Sequence, residues 1–148
     1  MDRRPDSSAS MRQPSDSWSS GPVERGVSEF GQLLGDMIAR IPGSRGAVLS
    51  DGEDDTIDTA HRPGDVSVID ICIAGAQIGQ AMVRLTNDSI LFGLGRPQVL
   101  IETEAGALVS KLLFREYLLT MLLHRNANLA RAMREFEQTA EQLRRLLE

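Results

Sequence analysis

Cysteine, histidine and catalytic signatures are scarce in this chain: it has one Cys72 and two histidines, His61 and His124. A lone cysteine closes no disulfide within the chain. Cys72 lies in an apolar run, where it reads as a small buried hydrophobe of a protein in a reducing, cytoplasmic setting. Each histidine is expected at a strand end with no second histidine at ligand spacing, so no metal is expected. No G-x-S-x-G and no P-loop occurs. Gly93 and Gly95 in FGLGRP miss the G-x-G-x-x-G spacing and precede no helix, so that stretch reads as a flexible linker. No enzymatic chemistry and no cofactor is expected. Positive charge is short as well: 16 Lys and Arg stand against 21 Asp and Glu, for a net charge of −5. That balance argues against a sequence-blind grip on nucleic acid phosphates. Arg3 and Arg4 are followed by no apolar stretch, unlike a signal peptide. The longest apolar segment, Val66 to Val83, is broken by Asp70, Gln77 and Gln80, whereas a membrane span takes about 20 mostly apolar residues. No membrane insertion is expected.

What is present suits one globular domain: 148 residues, 41% hydrophobic and 25% charged. Residues 1–22 hold seven serines and three prolines, with Trp18 as the only large apolar side chain. They bury too little to offset ordering entropy and are expected to form a disordered tail, with the folded domain at 23–148.

In VERGVSEFGQLLGDMIARIPG, Val27, Phe30, Leu33, Leu34, Met37, Ile38 and Ile41 recur at helical spacing, and Pro42-Gly43 ends the helix. Gly31 and Gly35 weaken it by roughly 1 kcal/mol each relative to Ala. RGAVLS reads as a strand and TIDTAH as a second, more polar one. The run DVSVIDICIAGAQIGQAMVRL is rich in β-branched residues at its start, but its length and its Ala74, Gly75, Ala76 and Gly79 favour a helix apolar on more than one side, with Asp65 as N-cap. After a loop over SILFGLGRP come three strand-like runs, QVLIETE, ALVSKLL and YLLTMLL. The first alternates, Val99, Ile101 and Thr103 on one face and Gln98, Leu100, Glu102 and Glu104 on the other. Turns fall at Ala105-Gly106 and at Phe114, Arg115 and Glu116. The last strand is almost wholly apolar, as a central strand covered on both faces would be. A helix capped by Asn128 or Asn126 ends the chain, its stripe formed by Leu129, Ala132, Met133, Phe136, Ala140, Leu143 and Leu147.

Between the first two strands, LSDGEDDTIDTA carries Asp51, Glu53, Asp54, Asp55 and Asp58. An EF-hand starting at Asp51 would place Thr56 where Gly belongs and Arg62 where the bidentate Glu belongs. Paired carboxylates acting as acid and base need a desolvated cleft, and a short turn provides none. The stretch reads as a charged turn that repels nucleic acid and steers a basic partner.

This order of helix, two strands, helix, three strands and helix resembles the roadblock/dynein light chain family, found in bacteria among regulators of Ras-like GTPases. The residues that carry the resemblance are VLIETEAGALVSKLLFREYLLTMLLHRNANLARAMREFEQTAEQL, with Asn128-Leu129 at the helix start, and IPGSRGAVLSDG; Ala130 stands where the family often has Gly. The resemblance covers about residues 24–147. It implies an α+β fold, α-β-β-α-β-β-β-α, with one five-stranded antiparallel sheet and helices on both faces. It also implies a homodimer in which Val99, Leu100, Ile101, Glu102 and Thr103 pair with their twins, and Ile69, Ile73 and Ala76 meet across the two-fold with Gln80 close by. A Ras-like small GTPase would then face Asp70, Gln77, Gln80 and Arg84. A structural adaptor without effect on nucleotide turnover, as the dynein light chains are, is the alternative reading.

Overall fold

The computed structural model describes residues 21–148. The disordered tail expected over 1–22, with Trp18, lies outside the described residues except for its last two positions. Nine elements follow in order: β1 (Glu24–Arg25), α1 (Glu29–Arg40), β2 (Ser44–Ser50), β3 (Thr56–His61), α2 (Val68–Leu91), β4 (Gln98–Glu102), β5 (Gly106–Leu112), β6 (Leu118–His124) and α3 (Leu129–Leu147). All strands join one antiparallel sheet of order β1-β3-β2-β6-β5-β4. The expected α+β class holds, with one strand more than the five expected. The extra strand is β1, two residues without apolar alternation, and main-chain bonds alone could reveal it.

On one face lie α1 and α3, burying Leu34, Met37, Ile38, Phe136 and Leu143 against Ala47, Leu49, Val109, Leu119 and Met121. Ion pairs Arg40–Glu135 (2.8 Å) and Lys111–Glu137 (2.7 Å) tie α3 to α1 and to β5. Helix α2 covers the other face, over β2, β3 and β6. Apolar strand β6 sits centrally, between β2 and β5, as its composition required.

Local chemistry sets the boundaries. Ser28 caps α1, its hydroxyl accepting from the Gly31 N–H at 3.2 Å. Val27, expected on the face of this helix, instead precedes it and is fully exposed. Ser67, not Asp65, caps α2, accepting from the Asp70 N–H at 3.1 Å. The Asp65 carboxylate is engaged by Arg45 at 3.1 Å, and no longer free to cap. The helix runs to Leu91, so Ser89–Leu91 are helical rather than loop. Between β4 and β5 the turn is Glu104-Ala105, closed by the Thr103 N–H donating to Gly106 O at 2.7 Å; Gly106 already belongs to β5. Arg115, at φ 53°, turns the chain into β6 as expected. Asn128 caps α3.

Candidate functional site

Helix α2 meets the sheet along one line, Ile71, Gly75, Ile78, Met82 and Thr86. Any side chain at Gly75 would crowd Val48, so the glycine lets helix and sheet close up there. Ile78 and Met82 close a small second core with Leu118, flanked by Val99, Leu108 and Leu112. The opposite side of α2 stays open, and it is apolar. Ile69 (67% exposed) and Ile73 (53% exposed) lie on it, with Val83 and Ile90 further along. Leu91, the last residue of the helix, and Phe92 and Leu94 beyond it are each more than 70% exposed. Ala76 is half-buried at the margin. The polar residues Asp70, Gln77 and Arg84 recur every seven positions, so they form a flank beside this apolar stripe, and Gln80 lies within the stripe; all four are exposed. Among the described residues α2 alone is long and apolar enough to cross a membrane.

The second open surface is β4. It lies at the end of the sheet, with only Val99 packed under α2. Leu100 on one face and Ile101 on the other are both exposed, as are Glu102 and Thr103, while Val99 is half-buried against the small core. Opposed residues in an antiparallel pair alternate between bonded and non-bonded. The Thr103–Gly106 bond therefore makes Ile101–Leu108 and Val99–Ser110 the bonded pairs in the β4–β5 register. The N–H and C=O groups of Gln98, Leu100 and Glu102 then point outward, and among the described residues no strand pairs with them. Val99–Thr103 and the α2 stripe thus leave two adjoining unpaired surfaces.

The acidic stretch divides into parts. Asp51 turns its carboxylate back onto the loop, accepting from the N–H groups of Glu53 (2.9 Å) and Asp55 (3.1 Å). Asp54 holds the left-handed conformation (φ 64°) that closes the turn. Asp58 points away, accepting from the Ser28 N–H at 3.0 Å and from the Ser28 hydroxyl. Glu53 and Asp55 remain exposed, while Asp54 and Asp51 line a cavity of about 190 Å³ with Met82, Thr86, Arg115 and Glu116. Among the described residues no three His, Cys, Asp or Glu side chains gather as a metal would need.

The sequence reading puts Ile69, Ile73, Asp70, Gln77, Gln80 and Arg84 on a helix and QVLIETE on an edge-like strand, and the structure has α2 and the edge strand β4 there. That reading missed Ile90, Leu91, Phe92 and Leu94, read as linker on account of Gly93 and Gly95. The signal was there: four large apolar residues in FGLGRP and the run before it are too many for a solvated linker.

No family model matches the chain, and no curated protein matches it. Solved structures do. A Roadblock/LC7 domain from Streptomyces avermitilis superposes with a TM-score of 0.66 at 21% identity, over 78% of this chain and 95% of that one. MglB from Myxococcus xanthus gives 0.71 at 11% identity, over 82% and 96%. MglB in a tetrameric arrangement gives 0.70 at 16% identity, over 78% and 85%. With these neighbours, and with the element order and layers described above, the chain has the Roadblock/LC7 fold.

Proposed function

We propose that the chain is a non-enzymatic, homodimeric, cytoplasmic module that binds a Ras-like small GTPase and regulates or positions it. The observation that carries this reading is the pair of adjoining open surfaces, the α2 stripe and the β4 edge. A two-fold axis beside β4 satisfies both at once: Val99–Thr103 pair with their twins, and Ile69, Ile73 and Ala76 meet their counterparts. The flank formed by Asp70, Gln77 and Arg84 then remains accessible in the dimer, while Gln80, within the stripe, lies at the two-fold contact. That flank is the surface offered to the GTPase, whose switch segments it would hold in one arrangement. The module brings no catalytic group of its own; any effect on hydrolysis comes through positioning of groups the GTPase already has.

The test is binding followed by turnover. Light scattering of the purified chain should return the mass of a dimer, and a 16.2 kDa species would remove the symmetric interface. Capture of Ras-like GTPases from the same cell, loaded with GDP or a GTP analogue, should be nucleotide-dependent, and Arg84→Glu with Gln77→Glu should abolish it. Binding that leaves hydrolysis and exchange rates unchanged would make the chain an adaptor; absence of any such binding would end the GTPase reading.

A further inference from the structure

The sheet has two ends, and they differ. At the far end from β4, the segment before α1 lies along β3, with Glu24 opposite His61 and Arg25 opposite Ala60. The Gly26 N–H donates to Thr59 O at 2.8 Å. By the same alternation, Glu24 and Gly26 direct their main-chain groups at β3, and only Arg25 directs its own outward. The groups of Thr59 and His61 that would otherwise form an open edge are thereby taken up.

This segment is built into the domain from both sides. Arg25 forms an ion pair with Asp36 and donates to Gln32 O at 3.0 Å, both on α1. Gln32 donates back to Gly26 O at 3.2 Å. Gly31 and Gly35, costly in mid-helix, sit where a side chain would collide with Gly26 and Arg25 respectively. Arg62, just after β3, is buried and donates to Gly21 O, to Ser44 O (2.9 Å) and to Ile38 O (2.8 Å), so it ties the start of the segment to the end of α1.

We propose that Gly21–Gly26 is an edge cap: it closes the β3 side of the sheet and leaves β4 as the single long open edge among the described residues. Without the cap, β3 becomes a latent pairing surface whose occupant is the β3 edge of a second copy. A chain with two open edges carries two different two-fold contacts, and copies joined through both in alternation make an open row that never closes. With the cap in place, what remains outward is one residue's pair of main-chain groups on a short, charged strand, a poor template for pairing. Two helix glycines are thus explained as clearance for the strap, at the expense of helix propensity. This inference rests on the reading of β4 as the dimer edge, and the test separates the two.

Sedimentation velocity over a concentration series is run on four proteins: the full chain, the chain from Gly21, the chain from Val27, and full-length Glu24→Pro with Gly26→Pro. The chain from Val27 keeps the Ser28 cap and its Asp58 partner. The proline pair removes both donors to β3 while keeping the chain length. The first two proteins should sediment alike as dimers. The last two should show mass above the dimer that rises with concentration. Strapless forms that are folded by circular dichroism yet sediment like the full chain overturn the cap. Strapless forms that no longer fold overturn it too, because β1 is then part of the core. A monomeric parent with self-associating strapless forms keeps the cap and removes the β4 dimer.

Discussion

Asp51 and Asp58 come from one acidic stretch and serve unrelated ends, and mutation separates them. Asp58 accepts two bonds from Ser28 and so fixes the start of α1 against β3. Asp58→Ala leaves those donors partly buried without a partner, and should lower the free energy of unfolding in urea by about 1–3 kcal/mol. Replacing Glu53, Asp54 and Asp55 together with Gln, Asn and Asn should change it by no more than about 0.5 kcal/mol, since Asn tolerates the left-handed turn as Asp does. Arg62 makes a comparable case. Burial pushes its pKa down and the Asp65 carboxylate partly restores it, while its bonds fall on main-chain carbonyls. Arg62→Met removes the side-chain donor to Ser44 O and one of three donors to Ile38 O, which keeps the Ser44 hydroxyl and the Ile41 N–H, and should cost about 1–3 kcal/mol, read as a lower urea midpoint with unchanged slope. Neither role was legible in the sequence. A carboxylate density reads the same whether its members cap a helix, close a turn or face solvent, and an arginine after a strand announces no partners 18, 24 and 41 positions away.

At the scale of elements, legibility followed periodicity. Helices α1 and α3 each bury a single stripe, and their 3.6-residue spacing placed Leu34, Met37, Ile38, Phe136 and Leu143 in the core from sequence alone. For α2 the same logic gave the type but blurred the extent, because an element apolar on two sides has weak periodicity and its end is hidden among apolar residues. Its start was missed for a different reason: Asp65 and Ser67 are equally good caps, and only Arg45 decides between them. The outward stripe of α2 makes a prediction of its own. Ile69→Gln with Ile73→Gln changes side chains that touch solvent in the monomer, so thermal stability of the isolated fold should hardly move. If the stripe is the two-fold contact, the dimer dissociation constant should rise by at least ten-fold, as measured by sedimentation equilibrium, since burying two such residues per chain is worth about 1.5–3 kcal/mol apiece. An unchanged constant would place the contact elsewhere.

For the whole molecule the deciding property is the sheet's pair of edges. β1 lies along one of them and the other, at β4, is open among the described residues, so β4 is the one long edge available for extending the sheet. The outward groups at β4 belong to Gln98, Leu100 and Glu102, and a two-fold axis through an antiparallel pair of identical strands must then set residues of that set against one another. Centred on Leu100, it sets Leu100 against its twin, Gln98 against Glu102 of the partner subunit, and Val99 beside Ile101 of the partner subunit. All outward groups are used, and an amide faces a carboxylate at each end of the pairing. Slipping by one residue turns bonded groups to non-bonded positions, so the parity of the strand permits few registers. Proline distinguishes the two sides of this strand. Leu100→Pro removes an outward N–H that has no partner within the chain, so the monomer should stay folded while the dimer is lost. Ile101→Pro removes an inward N–H bonded toward Leu108 and should unravel the β4–β5 hairpin itself, seen as rapid amide exchange over β5. If Leu100→Pro sediments as a dimer, the chain does not extend its sheet through β4, and the α2 stripe alone must hold the two copies together.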